Sequence, residues 1–292
     1  MLAQQLFNGL LLGATFCLVA LGFNLVVGAM DRLNFALGET AMLSAVLGAL
    51  IMTETPVPFL VSFAAATLVG GGVAVAVYYL SFRFVSADFP TASILSSLGC
   101  GLVLTAVVTK AFGSHQRTVP DVLSGVRLDL GAFTVSGAQL VILLLATLLT
   151  VGLYVFLERT PWGTAIRAVS DDATAAGLLG VPVQRVILLT FALSGVLAGA
   201  AGLLTGLAYH SVSPFDGFTT TLTALMIIVV GGLGSVSGGV LAALLIGLIQ
   251  TLTVAYLSAT LRDLIVFVLV GIVLLVRPQG LFGRNAGVLE RV

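Results

Sequence analysis

Long apolar stretches, each separated from the next by a short polar break, constrain the fold of this chain more than any other feature. A helix needs about 20 consecutive apolar residues to cross the hydrocarbon core of a bilayer. We therefore expect an all-α, polytopic membrane protein with about eight or nine transmembrane helices, some of them short or broken. The predicted spans are 6–28, 39–53, 59–82, 91–112, 138–157, 186–208, 219–232, 236–257 and 263–276.

Composition excludes two broad classes of protein. Only 8% of the residues are charged and 59% are hydrophobic, whereas about a quarter of a soluble domain is charged. The formal net charge is zero, so the chain has no basic field that would attract nucleic acid. We interpret residues 1–292 as a single transmembrane domain in contact with the lipid bilayer.

The positions of the arginines predict the orientation, because Lys and Arg are enriched in cytoplasmic loops. Three lie in the break 158–185 and three in the tail 277–292, and four predicted spans separate the two regions, so both are expected in the cytoplasm. They are Arg159, Arg167, Arg185, Arg277, Arg284 and Arg291. The insert 113–137 then lies outside, and its Pro120 and alternating VRLDL pattern predict an irregular or hairpin excursion.

Several kinds of chemistry are missing from the sequence. The single lysine, Lys110, is followed by Ala and Phe, so no phosphate-binding G-x-x-x-x-G-K-[ST] loop exists. The two histidines, His115 and His210, have no partners at metal-ligand spacing. We therefore expect no catalytic residue, no metal and no cofactor in this chain. An intramembrane hydrolase that pairs Ser194 with His210 stays open as a minor alternative.

Neutral polar residues and glycines mark the predicted membrane interior. Because buried charges in lipid are costly, a path for solute is expected among small polar side chains, together with one carboxylate at a span end: Asn24, Asn34, Glu39, Ser96, Ser97 and Ser194. Each hydroxyl could instead bond only its own helix backbone. Glycines four residues apart predict close helix packing, or helices that slide, at Gly195, Gly199, Gly202, Gly206, Gly234 and Gly238.

One charged segment lies between two apolar runs, AIRAVSDDATAAGLLGVP at 165–182. Thr160 and Pro161 predict the start of a first helix. Ser170 is expected to cap a second one, 171–180, of about three turns, or ~15 Å. The residues expected to form the contact surface or its ends are Arg167, Ser170, Asp171, Asp172, Ala175, Ala176, Leu178 and Gly180. This helix could simply close a loop, or it could be offered to a soluble cytoplasmic partner.

Four motifs in order carry a resemblance to a known family. The chain resembles the permease subunits of branched-chain amino-acid ABC importers of the LivH type over nearly its whole length. The matching elements are 165–204, the NFALGE element at 34–39, the glycine-rich 231–247 and the closing RPQGLFG at 277–283. Leu37 stands where the family commonly has His, which leaves open whether the substrate range is the usual one.

The resemblance implies a fold, a role and a set of partners. The fold is that of an ABC importer permease in the bacterial inner membrane, and residues 170–181 would be its coupling helix. The partners are a second, related permease subunit (a heterodimer, or a homodimer), two ATPase subunits that bind ATP and Mg²⁺, and a periplasmic substrate-binding protein. A stand-alone channel or facilitator for a small neutral solute is the alternative from another class.

Overall fold

The structure is a computed structural model of the chain, and it describes residues 2–85, 90–122, 127–129 and 134–282. Arg284 and Arg291, two of the arginines in the predicted cytoplasmic tail, lie outside the described residues. Parts of the predicted extracytoplasmic insert, 123–126 and 130–133, do so as well.

Eleven helices make up nearly all of the described structure. A π-helical turn, Tyr78–Phe82, extends the third of them. The nine predicted spans each coincide with one helix to within a few residues, which confirms the all-α polytopic fold. The helices are α1 (Leu2–Met30), α2 (Leu37–Glu54), α3 (Phe59–Val77), α4 (Pro90–Phe112), α5 (Gly137–Arg159), α6 (Pro161–Asp171), α7 (Ala173–Leu178), α8 (Val183–Tyr209), α9 (Asp216–Gly231), α10 (Val236–Tyr256) and α11 (Leu261–Val276).

Seven of the helices are long and apolar enough to cross a membrane. They are α1, α2, α3 with its π turn, α4, α5, α8 and α10. The two remaining apolar helices, α9 and α11, have 16 residues each, about 24 Å at 1.5 Å per residue, which falls short of a ~30 Å hydrocarbon core. The chain is a multi-pass membrane protein with seven full-length spans and two shorter apolar helices, which agrees with the prediction of eight or nine helices, some of them short.

Short strands mark one end of the bundle, which we call the β end. They form two antiparallel pairs, β1 with β4 and β2 with β3. The second pair, in which Leu128 lies opposite Val135, confirms the predicted hairpin excursion in the insert. Because β4 directly follows α8, the first pair joins the insert to the end of that helix. The strands are β1 (Arg117–Thr118), β2 (Arg127–Asp129), β3 (Thr134–Ser136) and β4 (Ser211–Val212).

The opposite end of the bundle, which we call the α7 end, carries the two short helices between α5 and α8. The α5 helix begins at the β end, where the side chain of Ser136 caps it and Gln139 completes a capping box. It ends at Arg159 at the α7 end, where α6 and α7 follow before α8 returns. The predicted break 158–185 and the predicted insert therefore lie at opposite ends of the molecule.

Helix α1 lies at the centre and is the most buried of the seven spans. It packs along α10 and α8. The contact with α10 is a backbone approach through glycines, since a Cβ on Gly13 would lie 2.8 Å from the Cα of Leu244 and one on Gly9 would lie 2.9 Å from the Cα of Leu248. At the other extreme, α4 and α5 are mostly exposed, as expected for helices that face lipid.

The starts of α2 and α9 meet inside the bundle. The backbone N–H of Gly38 donates to the Thr221 hydroxyl at 3.0 Å, and that hydroxyl donates to the Phe35 carbonyl at 3.2 Å. The extended segment before α2 is fixed at its outer end by Arg32, which donates to the Val85 carbonyl at 3.1 Å. A helix start placed inside the protein has backbone N–H groups to satisfy, and here a partner helix supplies the acceptor.

Candidate functional site

Helix α6 is an amphipathic connector held against the bundle on one side. Thr160 caps it as predicted, accepting the Gly163 N–H at 3.1 Å, with Pro161 in the first turn. Ile166 and Val169 are buried three residues apart, whereas Arg167 one position on is exposed. The periodicity of a helix therefore gives α6 one anchored face and one free face.

The predicted three-turn helix 171–180 with a Ser170 cap is wrong. Ser170 belongs to the last turn of α6, where its hydroxyl donates to the Ile166 carbonyl at 2.9 Å, and Asp171 ends that helix. Asp172 adopts an extended backbone, φ −158° and ψ 107°, and its Oδ1 accepts the Thr174 and Ala175 N–H groups at 2.8 and 2.9 Å. Both Ser and Asp are good N-caps, so only the backbone geometry shows which residue is used.

Helix α7 is consequently a six-residue helix, Ala173–Leu178, about 9 Å long at 1.5 Å per residue. It ends as the sequence predicts, at Gly180. That residue has φ +87°, a conformation that favours glycine. The Gly180 and Val181 N–H groups donate back to the Gly177 and Ala176 carbonyls, both at 3.0 Å. This is the Schellman arrangement, which satisfies the carbonyls at a helix end.

The segment 172–181, which we call the α7 tip, presents leucines outward. Ala176 is 3% exposed and joins the main apolar core, which anchors the tip. Ala175 is exposed, and Leu178 and Leu179 are each 86% exposed. Two adjacent leucines at the end of a short helix that is capped at both ends form an apolar projection at a polar turn.

One ion pair joins α6 to the end of α5. Arg167 Nη1 lies 2.9 Å from Glu158 Oε1, and both side chains are about half exposed. The predicted contact residue Arg167 is thus engaged within the chain, on the free face of α6.

The two asparagines predicted to line a solute path each accept a backbone hydrogen bond within the chain. Asn24 Oδ1 accepts the Gly234 N–H at 2.7 Å, which fixes the turn between α9 and α10. Asn34 Oδ1 accepts the Ala36 N–H at 3.1 Å just before α2. Each amide oxygen therefore satisfies the backbone of a break in the bundle.

The other predicted path residues lie mainly around the start of α2 and in α8. Glu39 is 7% exposed and its Oε2 accepts the Thr105 hydroxyl at 2.9 Å. Ser97 accepts the Phe35 N–H at 3.2 Å, and Ser96 beside it is half-buried. The hydroxyl of Ser194 is fully buried and has no hydrogen-bond partner among the described residues.

Two cavities open near the β end, and none of those six path residues is among the described residues that line them. Their volumes are about 390 and 420 Å³, within the ~300–1,000 Å³ range of small-molecule sites. Tyr209, Gln250 and Arg262 border both cavities. Tyr209 and Arg262 were missed because both lie at helix ends, where the sequence pattern indicates only the limit of a span.

Close backbone contact between α8 and its neighbours depends on glycines, which we call the glycine seam: Gly70, Gly195, Gly199 and Gly202. A Cβ on Gly195 would overlap the Gly70 carbonyl oxygen, and one on Gly199 would lie 2.7 Å from the Ala66 carbonyl oxygen. A Cβ on Gly202 would overlap the Ala41 carbonyl. Three of the six predicted packing glycines therefore occupy positions where larger side chains do not fit.

The remaining three predicted packing glycines differ from one another. A Cβ on Gly238 would overlap the Gly231 carbonyl oxygen. A Cβ on Gly206 would lie 3.2 Å from Val212 Cγ2, which is a tight contact but not an overlap. The packing role predicted for Gly234 is wrong: a Cβ there would meet no atom within 4 Å. Gly234 has φ +78°, so its backbone conformation in the α9–α10 turn accounts for a glycine at this position.

The paired Ser194 and His210 of the hydrolase alternative are far apart. Both belong to the line of α8, with Ser194 inside the helix and His210 at its end. Sixteen positions separate them in the sequence, about 24 Å along the helix axis. A hydroxyl and an imidazole at that distance cannot exchange a proton directly, so this alternative is discarded.

A family model and two relatives that cover nearly the whole chain agree with one another. The model of the family described as branched-chain amino acid transport system / permease component matches residues 5–276. The chain is 31% identical to the high-affinity branched-chain amino acid transport system permease protein LivH of Salmonella typhimurium, with 96% of this chain and 95% of the relative covered. Identity to the corresponding protein BraD of Pseudomonas aeruginosa is 29%, with the same coverage.

A solved structure supports the fold. PsaBC from Streptococcus pneumoniae in complex with Fab contains a chain that superposes with a TM-score of 0.54, with 93% of this chain and 91% of that chain covered. Sequence identity is only 13%, so this likeness concerns the fold alone. With the family match covering most of the sequence, the chain belongs to the family of permease components of branched-chain amino acid transport systems.

Proposed function

We propose that this chain is a membrane-spanning permease subunit of an ATP-binding-cassette importer in the bacterial inner membrane. Its cargo is a branched-chain amino acid or a related small polar solute, as the names of its relatives suggest. Energy comes from separate ATPase subunits, which bind ATP and Mg²⁺, and this chain holds no cofactor of its own.

The α7 tip is the observation that carries this proposal. A short helix that is capped by Asp172, stopped by Gly180 and anchored by Ala176 transmits movement as a rigid body. Its exposed Leu178 and Leu179 supply an apolar contact for a groove on an ATPase subunit. Force applied there passes directly into α6 and α8, which flank the tip.

The remaining partners follow from the same proposal. The full assembly contains a second permease subunit, which we expect to be a related chain rather than a second copy, and two ATPase subunits. A periplasmic binding protein delivers solute to the β end. This orientation agrees with the arginines Arg159, Arg167 and Arg185, which lie around the α7 end and favour the cytoplasm.

The test is transport by the assembled importer after changes to the α7 tip. A proline at Gly177 breaks α7, and Leu178→Asp places a charge on its contact surface. We expect either change to abolish substrate-stimulated ATP hydrolysis and uptake while the amount of chain in the membrane stays normal. Leu178→Met is the matched control, since it keeps an apolar side chain of similar volume. Normal stimulated hydrolysis in both variants would refute the proposed docking role.

A second experiment separates this proposal from a stand-alone channel. The purified chain alone, reconstituted in liposomes, should give no leucine flux above that of empty liposomes. Flux through the isolated chain would establish a channel or facilitator instead.

A further inference from the structure

One of the two cavities at the β end combines charged groups of both signs with an apolar wall. Four helices, one strand and the loop residue Gln116 supply its polar groups, and α1 and α2 contribute Phe16, Val19, Met42 and Ala45. The other cavity shares Arg262 but is otherwise lined by neutral amides, hydroxyls, one histidine and apolar groups. We call the first one the charged cavity.

The charges of this cavity converge from two helix starts. Asp216 begins α9, and Arg262 and Asp263 lie in the first turn of α11. All three line the same cavity as Tyr209. The wall thus carries one positive and two negative formal charges, Arg262 against Asp216 and Asp263, which disfavours a solute with only negative charge.

Arg262 and Asp216 each keep polar atoms that can hydrogen-bond a solute. Arg262 uses its Nε to bond Asp263 Oδ1 at 3.2 Å and also hydrogen-bonds the Tyr209 side chain. The guanidinium has further N–H donors that can hold a carboxylate. Asp216 Oδ2 accepts the Ser213 N–H at 2.8 Å, and its second oxygen remains able to accept from an ammonium group. Thr219, Thr220 and Thr223 add hydroxyls on the same wall.

We propose that the charged cavity binds a free amino acid with an apolar side chain, with Arg262 receiving its carboxylate and Asp216 its ammonium group. The apolar wall of α1 and α2 then takes the side chain. This inference rests on the proposed function, which it extends to a specific binding site in the permease. Since this cavity lies at the end opposite the α7 tip, the solute would occupy it after release from the binding protein.

The test measures protection of an engineered thiol by solute, on the full chain in lipid nanodiscs. Thr219 lines the cavity and is exposed, so Thr219→Cys places a thiol at the site, in a background with Cys17→Ala and Cys100→Ser. The probe is a membrane-impermeant, thiol-reactive ammonium reagent. We expect leucine to slow the labelling at least threefold. Leucine analogues that lack the amino group or the carboxylate should slow it less.

Charge variants assign the two roles. In the same background, Arg262→Gln should remove protection by leucine, whereas Arg262→Lys should retain part of it. Asp216→Asn should remove protection by the analogue that lacks the carboxylate, since that analogue depends on the ammonium contact. Lys110→Gln is the matched control, because it deletes an exposed cation in the last turn of α4 outside the cavity. Thr118 is exposed and is not among the residues that line the cavity, so leucine should not change the labelling rate of Thr118→Cys in any of these backgrounds.

The outcomes separate this inference from the proposed function. Leucine that fails to protect Thr219→Cys, or that protects equally well in Arg262→Gln, overturns the site even if the assembled importer transports leucine. Protection of the cysteine by leucine in a chain whose assembled importer transports no amino acid would leave the site standing and overturn amino acids as the proposed cargo. If Arg262→Gln alters the elution volume or melting temperature of the chain, the other two variants decide. The site stands if Arg262→Lys retains part of the protection by leucine and Asp216→Asn removes protection by the analogue that lacks the carboxylate. It is overturned if neither result is obtained.

Discussion

The glycine seam and the α7 tip are built on opposite principles. In the seam, Gly195 and Gly70 bring α8 and α3 so close that a single added carbon overlaps a carbonyl oxygen. In the tip, Leu178 and Leu179 are almost fully exposed. The Asp172 carboxylate at one end and backbone hydrogen bonds at the other keep six residues helical. The glycine seam has no space for larger side chains, whereas the α7 tip places two leucines in the open.

This difference separates two consequences of mutation. Changes in the seam act on folding, because the backbone of neighbouring helices must move apart to accept them. Changes at the exposed residues of the tip should leave the fold intact, because only Ala176 of α7 belongs to the core. On the proposed function, such changes act on the contact with an ATPase subunit. On that proposal, energy is supplied by a separate ATPase subunit. The chain then needs tightly packed helices that move together and an exposed segment that the ATPase subunit can contact.

The largest expected effect comes from filling the seam. Gly195→Val should destabilise the folded chain by about 3 kcal/mol or more, since overpacking at a backbone contact forces two helices apart. The measurement is the melting temperature and gel-filtration profile of the purified chain in detergent. Gly152→Val is the matched control, because a Cβ at Gly152 meets no atom within 4 Å on the exposed face of α5. An equal fall in melting temperature in both variants would contradict the close helix packing that we assign to the glycine seam.

A smaller effect is expected from the cap of the tip. Asp172→Ala should cost about 1 kcal/mol of local helix stability, which corresponds to about fivefold faster hydrogen exchange at the amides of Thr174 and Ala175. The global melting temperature should not change. Asp171→Ala provides the control, because Asp171 ends α6 and does not cap α7. If Asp171→Ala produced the faster exchange instead, the helix start would be misplaced.

The smallest effect is expected from the ion pair beside the tip. Arg167 and Glu158 are about half exposed, so their coupling should be about 0.5 kcal/mol or less. A double-mutant cycle with Arg167→Gln and Glu158→Gln, measured by denaturation in detergent, gives this value. A coupling above about 1 kcal/mol would mean that α6 is held to α5 by charge rather than by its buried Ile166 face.

The helices could be predicted from the sequence because a long apolar run in a membrane must satisfy its own backbone hydrogen bonds, which it does by forming a helix. The ends of α7 show where such reasoning stops. Gly180 was predictable, since few residues other than glycine end a helix with positive φ. The N-cap was not, because Ser170, Asp171 and Asp172 are all capable caps and only the extended backbone at Asp172 selects one.

The cavity charges and the position of Glu39 could not be predicted for a different reason. A charged residue at the limit of an apolar run looks like a boundary, whether it faces water or a cavity. Arg262 and Asp216 border a cavity, whereas Glu39 lies between α2 and α4 in contact with Thr105. Which of these occurs depends on neighbouring helices that are distant in sequence.

The most direct test of the central claim, that the α7 tip receives the ATPase, is site-specific photo-crosslinking in the assembled importer. A photoreactive side chain in place of Leu178 should crosslink to the ATPase subunit in high yield. The same side chain in place of Leu275, which is 87% exposed near the end of α11, should not. Absence of the crosslink at Leu178, or equal yields at both positions, would contradict the account.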